Sequence, residues 1–313
     1  GAELARRLGL PEAYVHAGAR GARPFSVFAP LGYVARMKPG DPHDPLLRQV
    51  LQLAAEEEEV DGFTADPVGD QAAVLTAGLL QKYRGRALMI TTGTCAIHCR
   101  YCFRRHFPYQ KSPHSLKQWQ DALDHLAADE TIEEVILSGG DPLTLLDSQL
   151  AAIVGRLDEI PHLRRLRVHT RLPIVIPERV TADLITCLRN TRLTSVIVVH
   201  ANHPAELDEA VSDALSRLID AGLPVLNQAV LLRGVNDCPR ALAELCRRLV
   251  NLRVIPYYLH QLDRVAGAAH FEVPTEKGLQ LVNGLRRILP GYAVPRYVQE
   301  TPGAPHKVEV ERA

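Results

Sequence analysis

The chain has 313 residues, 46% of them hydrophobic and 23% charged, with 36 Lys plus Arg against 36 Asp plus Glu. That is ordinary globular composition, and zero net charge excludes a general attraction to nucleic acid or to an anionic membrane. No apolar run reaches the ~20 residues of a membrane span, and residues 1–7 lack the basic-then-apolar order of a secretory leader, so a cytoplasmic protein is expected.

Residues 1–85 read as a separate, mostly helical extension. Asp41-Pro42-His43-Asp44-Pro45 is turn-rich, and Pro45 can open a helix running through Leu46, Leu47, Val50, Leu51 and Leu53. The acidic run at 56–59 reads as a solvated helix face or loop. From Arg86 onward short β-branched or apolar runs recur at 87–92, 134–137, 166–169, 194–199, 224–230 and 253–259, roughly the spacing of βα units. Helical periodicity fills the gaps, as at 184–188, 207–218 and 242–249. The fold expected is α/β: a partial (β/α)6 TIM-like barrel over 86–290, with the N-terminal extension before it and a short C-terminal segment, 291–313, after it. A doubly wound sheet is the alternative, weakened because no Gly-x-Gly-x-x-Gly follows the first strand.

Barrel enzymes place their chemistry at the carboxyl ends of the strands. There the sequence puts, in order, a cysteine loop, Ser138-Gly139-Gly140-Asp141, Thr170-Arg171, His200, Asn227 and Gln228, and finally His260 and Asp263. Six such coincidences point to one large polar face.

Three of the six cysteines, Cys95, Cys99 and Cys102, fall within eight residues, which suggests metal rather than disulfides. Thiolates are the usual ligands of iron–sulfur clusters, and three of them leave one iron open. S-adenosylmethionine can chelate that open iron, and an electron from the cluster then yields a 5′-deoxyadenosyl radical. A zinc site completed by His98 or His106 is the alternative the spacing leaves open. Cys187 and Cys246 lie in helical stretches and read as buried small hydrophobes.

Cys-x-x-x-Cys-x-x-Cys with Tyr101 before the last cysteine resembles the radical S-adenosylmethionine superfamily. The resemblance implies a [4Fe–4S] cluster on the three cysteines, Tyr101 against the adenine, and Ser138, Gly139, Gly140 and Asp141 holding the methionine amino group, with Asp141 as its negative partner. Beyond the superfamily the chain resembles lysine 2,3-aminomutases, most of all the bacterial branch that makes (R)-β-lysine for modification of elongation factor P. That match runs from Asp41-Pro42-His43-Asp44-Pro45 through Cys99-Arg100-Tyr101-Cys102-Phe103-Arg104-Arg105-His106-Phe107, Leu137-Ser138-Gly139-Gly140-Asp141-Pro142-Leu143, Thr170-Arg171-Leu172-Pro173 and His200-Ala201-Asn202-His203-Pro204. It continues through Leu231-Leu232-Arg233-Gly234-Val235-Asn236-Asp237 and Pro256-Tyr257-Tyr258 to Gly291-Tyr292-Ala293-Val294-Pro295.

The family resemblance implies pyridoxal 5′-phosphate as a second cofactor, on Lys307 in Pro302-Gly303-Ala304-Pro305-His306-Lys307, with Lys82 and Arg86 at the phosphate. Without the resemblance Lys307 would read as part of a loose tail. It further implies an aldimine of L-lysine attacked at its β-hydrogen by the deoxyadenosyl radical, and His200 and Gln228 near S-adenosylmethionine. Arg104 is implied at the substrate carboxylate, with Asp263 and Glu300 at its side-chain ammonium; Glu300 stands where relatives usually have Asp. Two acids there favour lysine over glutamate as substrate. The bland readings are a surface arginine for Arg104, a loop carboxylate for Asp263 and a core histidine for His200. An external electron donor such as flavodoxin or ferredoxin, and a functional link to elongation factor P and its ligase, follow from the same resemblance. Relatives with a longer C-terminal extension bind structural zinc there and at the position of Cys238; no partner cysteines follow it here near the end at Ala313. A radical enzyme without pyridoxal phosphate, such as an activase or a modifying enzyme, and an electron carrier or zinc module are the competing readings.

Overall fold

The computed structural model describes residues 1–19, 25–113 and 115–311. The chain opens with α1 (Ala2–Arg7), α2 (Glu12–Ala19), α3 (Leu31–Val34) and α4 (Pro45–Arg48). Asp44 caps α4, its carboxylate accepting from the backbone of Leu46 and Leu47 at 2.9 Å each, while Pro45 occupies the first turn where no N–H is needed. This helix stops after four residues, shorter than the periodicity predicts. The reason lies outside it: the carbonyl of Gln49 accepts the N–H of Arg100 at 2.8 Å, so the chain turns aside to hold the cysteine loop.

The mostly helical reading of the lead-in also needs correction at its end. β1 (Val74–Thr76) and β2 (Leu79–Tyr83) form an antiparallel hairpin that joins the main sheet through β3 (Arg86–Thr92). Each later strand then pairs parallel with the one before it. These are β4 (Glu134–Gly139), β5 (Arg165–Thr170), β6 (Thr194–Val199), β7 (Val225–Val230), β8 (Ile255–His260) and β9 (Arg296–Gln299). The six expected strands are therefore present, and the C-terminal segment supplies a seventh parallel one. The hairpin strand β10 (Val308–Glu309) then turns back against β9. The helices between the strands are α5 (Leu116–Ala128), α6 (Asp147–Asp158), α7 (Leu172–Val175), α8 (Ala182–Arg189), α9 (Glu209–Asp220), α10 (Pro239–Asn251) and α11 (Thr275–Arg286). Ten strands in sequential order, β1 to β10, make an α/β sheet that is parallel through its middle. No helix among the described residues is long and apolar enough to cross a membrane.

The sheet and its outer helices share one continuous core. Trp119 on α5 is its largest fully buried side chain, at 1% exposure. Trp119→Ala is expected to lower unfolding stability by about 3–5 kcal/mol in urea titrations. Trp119→Phe should cost less, because the indole N–H has no partner among the described residues to lose. A second core joins α1, α3 and α4 to Ile97, which lies between the first two cysteines, so the lead-in packs directly on the cysteine loop. The acidic run is not wholly solvated. Glu56 is buried and pairs with both Arg100 and Arg105, the latter at 2.8 Å, and so staples the lead-in to the loop; Glu58 and Glu59 are exposed as expected.

Candidate active site at the carboxyl ends of the strands

The cysteine loop leaves the end of β3 and rests on the turn that ends β4. Gly140 N–H donates to Thr92 O at 2.7 Å and Asp141 N–H to Thr94 O at 2.8 Å. A Cβ on Gly140 would stand closer than 3.0 Å to the backbone of Gly93 and Thr94, and Gly139 has φ +118°, where only glycine is at ease. The glycine pair is thus required by the approach of two backbones. Asp141 caps the short turn after it and cross-ties the strands: its carboxylate accepts from Leu143 N at 3.1 Å, Thr170 Oγ1 at 2.7 Å and Arg171 N at 2.6 Å. Burial outweighs these bonds and pushes its pKa up to about 6. Three of the carboxylate's roughly four lone-pair sites thus hold the turn and the neighbouring strand.

Cys95, Cys99 and Cys102 are half-buried and unpaired. Burial, and the charges of Cys102, Asp141 and Cys99, raise the Cys95 thiol far above the ordinary range; burial and then Cys99 push Cys102 up to about 11. Three sulfurs whose ionised forms repel one another are a donor set suited to a cationic iron–sulfur cluster. Among the described residues no three His, Cys, Asp or Glu side chains surround a single-ion position. His98 Nδ1 faces Ser26 O at 2.8 Å and His106 Nε2 faces Ala266 O at 3.1 Å. One nitrogen of each ring is thereby engaged by a backbone carbonyl.

Arg171, just past β5, donates to Cys99 Sγ at 2.7 Å and to Glu206 Oε2 at 2.7 Å. Tyr101 accepts from Asn202 Nδ2 at 2.6 Å and stands edge-on to Phe271.

A second group of charges extends from this loop into the barrel. Arg104 donates to Asp70 Oδ2 at 2.6 Å and to Ser138 Oγ at 3.2 Å. Asp70 also pairs with Lys82 at 2.7 Å, and Lys82 lies 3.5 Å from Glu300. Glu300 accepts from Tyr83 Oη at 2.7 Å and contacts the amine of Lys307. The two edges of the open sheet thus meet at Glu300, with Tyr83 and Glu300 separated by 217 positions in sequence. Asp263 faces the same charges. Removal from water, reinforced by Glu300 and opposed by Lys307, pushes its carboxyl up to about 7. His200 sits between Gln228, at 3.2 Å, and His169, whose ring centroid is 5.8 Å away. Burial lowers the pKa of His200 to about 3, and those of His169 and His260 well below the usual histidine range.

The structure therefore joins Ser138, Arg104, Lys82, Glu300 and Lys307 by direct contacts and sets Asp263, His200 and Gln228 close by. Arg86 stands apart. It opens β3, at the amino end of the strands, with its guanidinium 4.7 Å from the Tyr83 ring, and among the described residues touches this group of charges through that tyrosine. Asp70 and Tyr83 escape sequence reasoning because one acid in a turn and one aromatic in a hairpin carry no pattern. Asp70 is held in place by Asp66, whose carboxylate accepts its N–H at 2.8 Å.

Whether polar cofactors fit here can be tested on the side chains present. The Nε2 atoms of His169 and His260 are buried without a partner among the described residues. Such atoms cost about 1–3 kcal/mol each, so a polar group bonded to them would relieve them. Cations suited to a phosphate and a carboxylate stand beside the primary amine of Lys307. The donor sets fit.

Residues 89–246 match the radical SAM superfamily. The L-lysine 2,3-aminomutase of Haemophilus influenzae is 43% identical over 304 residues, covering 97% of this chain and 90% of that protein. That of Escherichia coli is 44% identical over 310 residues, covering 99% and 90%. That of Clostridium subterminale is 37% identical over 279 residues, covering 89% and 67%. Among solved structures, Streptococcus suis SuiB bound to S-adenosylmethionine superposes with a TM-score of 0.53 at 13% identity, over 70% of this chain and 51% of that one, a likeness of fold.

Proposed function

The chain belongs to the L-lysine 2,3-aminomutase family of the radical SAM superfamily, and from that membership we propose that it converts L-lysine to (R)-β-lysine. The observation that carries the reading is the unbroken run of contacts from Lys307, near the chain's end, through Glu300, Lys82, Asp70 and Arg104 to the turn under the cysteine loop.

In this reading Cys95, Cys99 and Cys102 hold a [4Fe–4S] cluster, and Tyr101, the Ser138–Asp141 turn, His200 and Gln228 surround S-adenosylmethionine. Lys307 carries pyridoxal 5′-phosphate, with Lys82 and, less directly, Arg86 answering its phosphate. The cluster with S-adenosylmethionine supplies a carbon radical able to take an unactivated hydrogen; pyridoxal phosphate supplies a π-system that lets an amino group migrate. The chain's own residues do the rest. Arg104, oriented by Asp70 and Ser138, presents its remaining N–H groups to the substrate carboxylate. Glu300 accepts a hydrogen bond from the Lys307 amine and so orients it. Asp263 and Glu300 give the substrate ammonium a negative end to bind and repel a γ-carboxylate, which favours lysine over glutamate. Burial of the histidines keeps them neutral and helps exclude water.

We place the enzyme in the cytoplasm, fed electrons by a flavodoxin or ferredoxin, with its product passed to the ligase that modifies elongation factor P. Anaerobic incubation with reductant, S-adenosylmethionine and L-lysine, followed by chiral separation, should yield (R)-β-lysine and 5′-deoxyadenosine. Deoxyadenosine without β-lysine would point to a radical enzyme of another substrate, and neither product would overturn the reading.

The titration of Asp263 gives a pH dependence with a defined sign. Below about 7 its carboxyl is protonated and offers no charge to the substrate ammonium; above about 7 the charge is present. KM for lysine should fall up to about tenfold per pH unit on approach to that value and then level off. Asp263→Asn should flatten this profile and raise KM at pH 8 by about 2 kcal/mol, roughly thirtyfold.

A further inference from the structure

We propose that Arg171 is a positioning residue that sets the reduction potential of the iron–sulfur cluster through its hydrogen bond to Cys99, and that Glu206 opposes it; this rests on the cluster reading given above. Arg171 is 6% exposed and follows β5. One terminal nitrogen donates to Cys99 Sγ at 2.7 Å. The other is shared among Gln49 Oε1 and Glu206 Oε2, both at 2.7 Å, and Tyr33 Oη at 3.2 Å. The rings of Tyr33 and Tyr101 flank the guanidinium at 5.5 and 5.8 Å. Glu206 is fully buried and is itself fixed by the N–H groups of Asn202, at 2.8 Å, and His203, at 3.0 Å, and by Gln49 Nε2, at 3.2 Å.

A buried ion pair is poor evidence of a stabilising role, since apolar side chains of similar volume often do as well. What apolar side chains cannot do is point a charged donor at one ligand sulfur. Other cations act on the loop: Arg104 and Arg105 influence Cys102 across space, but their own hydrogen bonds go to Asp70, Ser138, Glu56 and backbone carbonyls. Arg171 alone among the described residues donates a side-chain hydrogen bond to a ligand cysteine. The reduced cluster carries one more negative charge than the oxidised one, spread onto its sulfurs. A cationic donor stabilises that state more, and low dielectric strengthens the effect. Glu206, with the opposite sign two bonds further away, acts the other way. The arrangement makes the cluster easier to reduce than the bare loop would, yet keeps it a strong reductant.

The test is redox titration of the anaerobically reconstituted full chain, followed by the electron paramagnetic resonance signal of the reduced cluster, without substrate. At the wild-type midpoint, Arg171→Met should lower the ratio of reduced to oxidised cluster about tenfold, a shift of ~59 mV for one electron. Glu206→Gln, which keeps shape and a hydrogen-bond acceptor, should raise that ratio severalfold. A purely structural role would not move the two variants in opposite directions. Unchanged ratios in both, or shifts of the same sign, would overturn the proposal. If Arg171→Met retains no cluster, Glu206→Gln decides alone: a rise upholds the proposal and anything else overturns it. Wild-type protein that takes up no four-iron cluster would instead bring down the cluster reading, and this proposal with it.

Discussion

Gly140→Ala is expected to strip the protein of its iron while leaving the barrel folded. The added methyl would fall within 3.0 Å of the Thr94 carbonyl and the Gly93 backbone, groups that cannot rotate away as a side chain could. Relief requires the loop to lift from the turn, breaking the bond from Asp141 N–H to Thr94 O, and Cys95 is the next residue along. Three sulfurs bind a cluster only from a fixed geometry, so a displacement of that size should reduce iron per chain after reconstitution by about tenfold or more. The contact concerns one loop, so far-ultraviolet circular dichroism should be unchanged. Gly284→Ala on α11 is the control. A Cβ there meets nothing, and the helix should gain roughly 0.5–1 kcal/mol with no loss of iron. Full iron content in Gly140→Ala would show that the loop is not seated as described.

Lys307→Ala should abolish both the visible absorbance of lysine-bound pyridoxal phosphate and turnover, the latter by roughly a thousandfold or more. The loss should be specific. Glu300 keeps Tyr83 and Lys82 as partners when Lys307 is removed, so no buried carboxylate is stranded and the edges of the sheet stay joined. Lys307→Arg separates charge from covalency: it restores a cation beside Glu300 but offers no amine for imine formation, and should be as inactive as the alanine variant. Absorbance and turnover that survive either change would remove Lys307 from the chemistry. Wild-type protein without the absorbance would favour a radical enzyme that uses no pyridoxal phosphate.

Local pattern carried a good deal of this. Runs of β-branched or apolar residues alternating with helical periodicity gave all six central strands to within two residues at each end, because strands covered by helices draw on such residues. The cysteine spacing and the Gly-Gly pair were equally visible, since ligand geometry and the close approach of two backbones each demand particular residue types at fixed offsets. The hairpin at 74–83 and the strand at 296–299 were not, because such short elements take their structure from the strands they pair with and leave little periodicity of their own.

By itself, then, the sequence determined which residues could do chemistry and which face of a barrel would present them. Only the tertiary structure decided who meets whom. It brought Lys82 from before the barrel and Lys307 from after it to one carboxylate, placed Asp70 between two cations, and spent the carboxylate of Asp141 on holding a turn. It also aimed Arg171 at Cys99. Such pairings depend on closure of the sheet between its distant edges, and charged contacts across that gap have no period along the chain that could announce them.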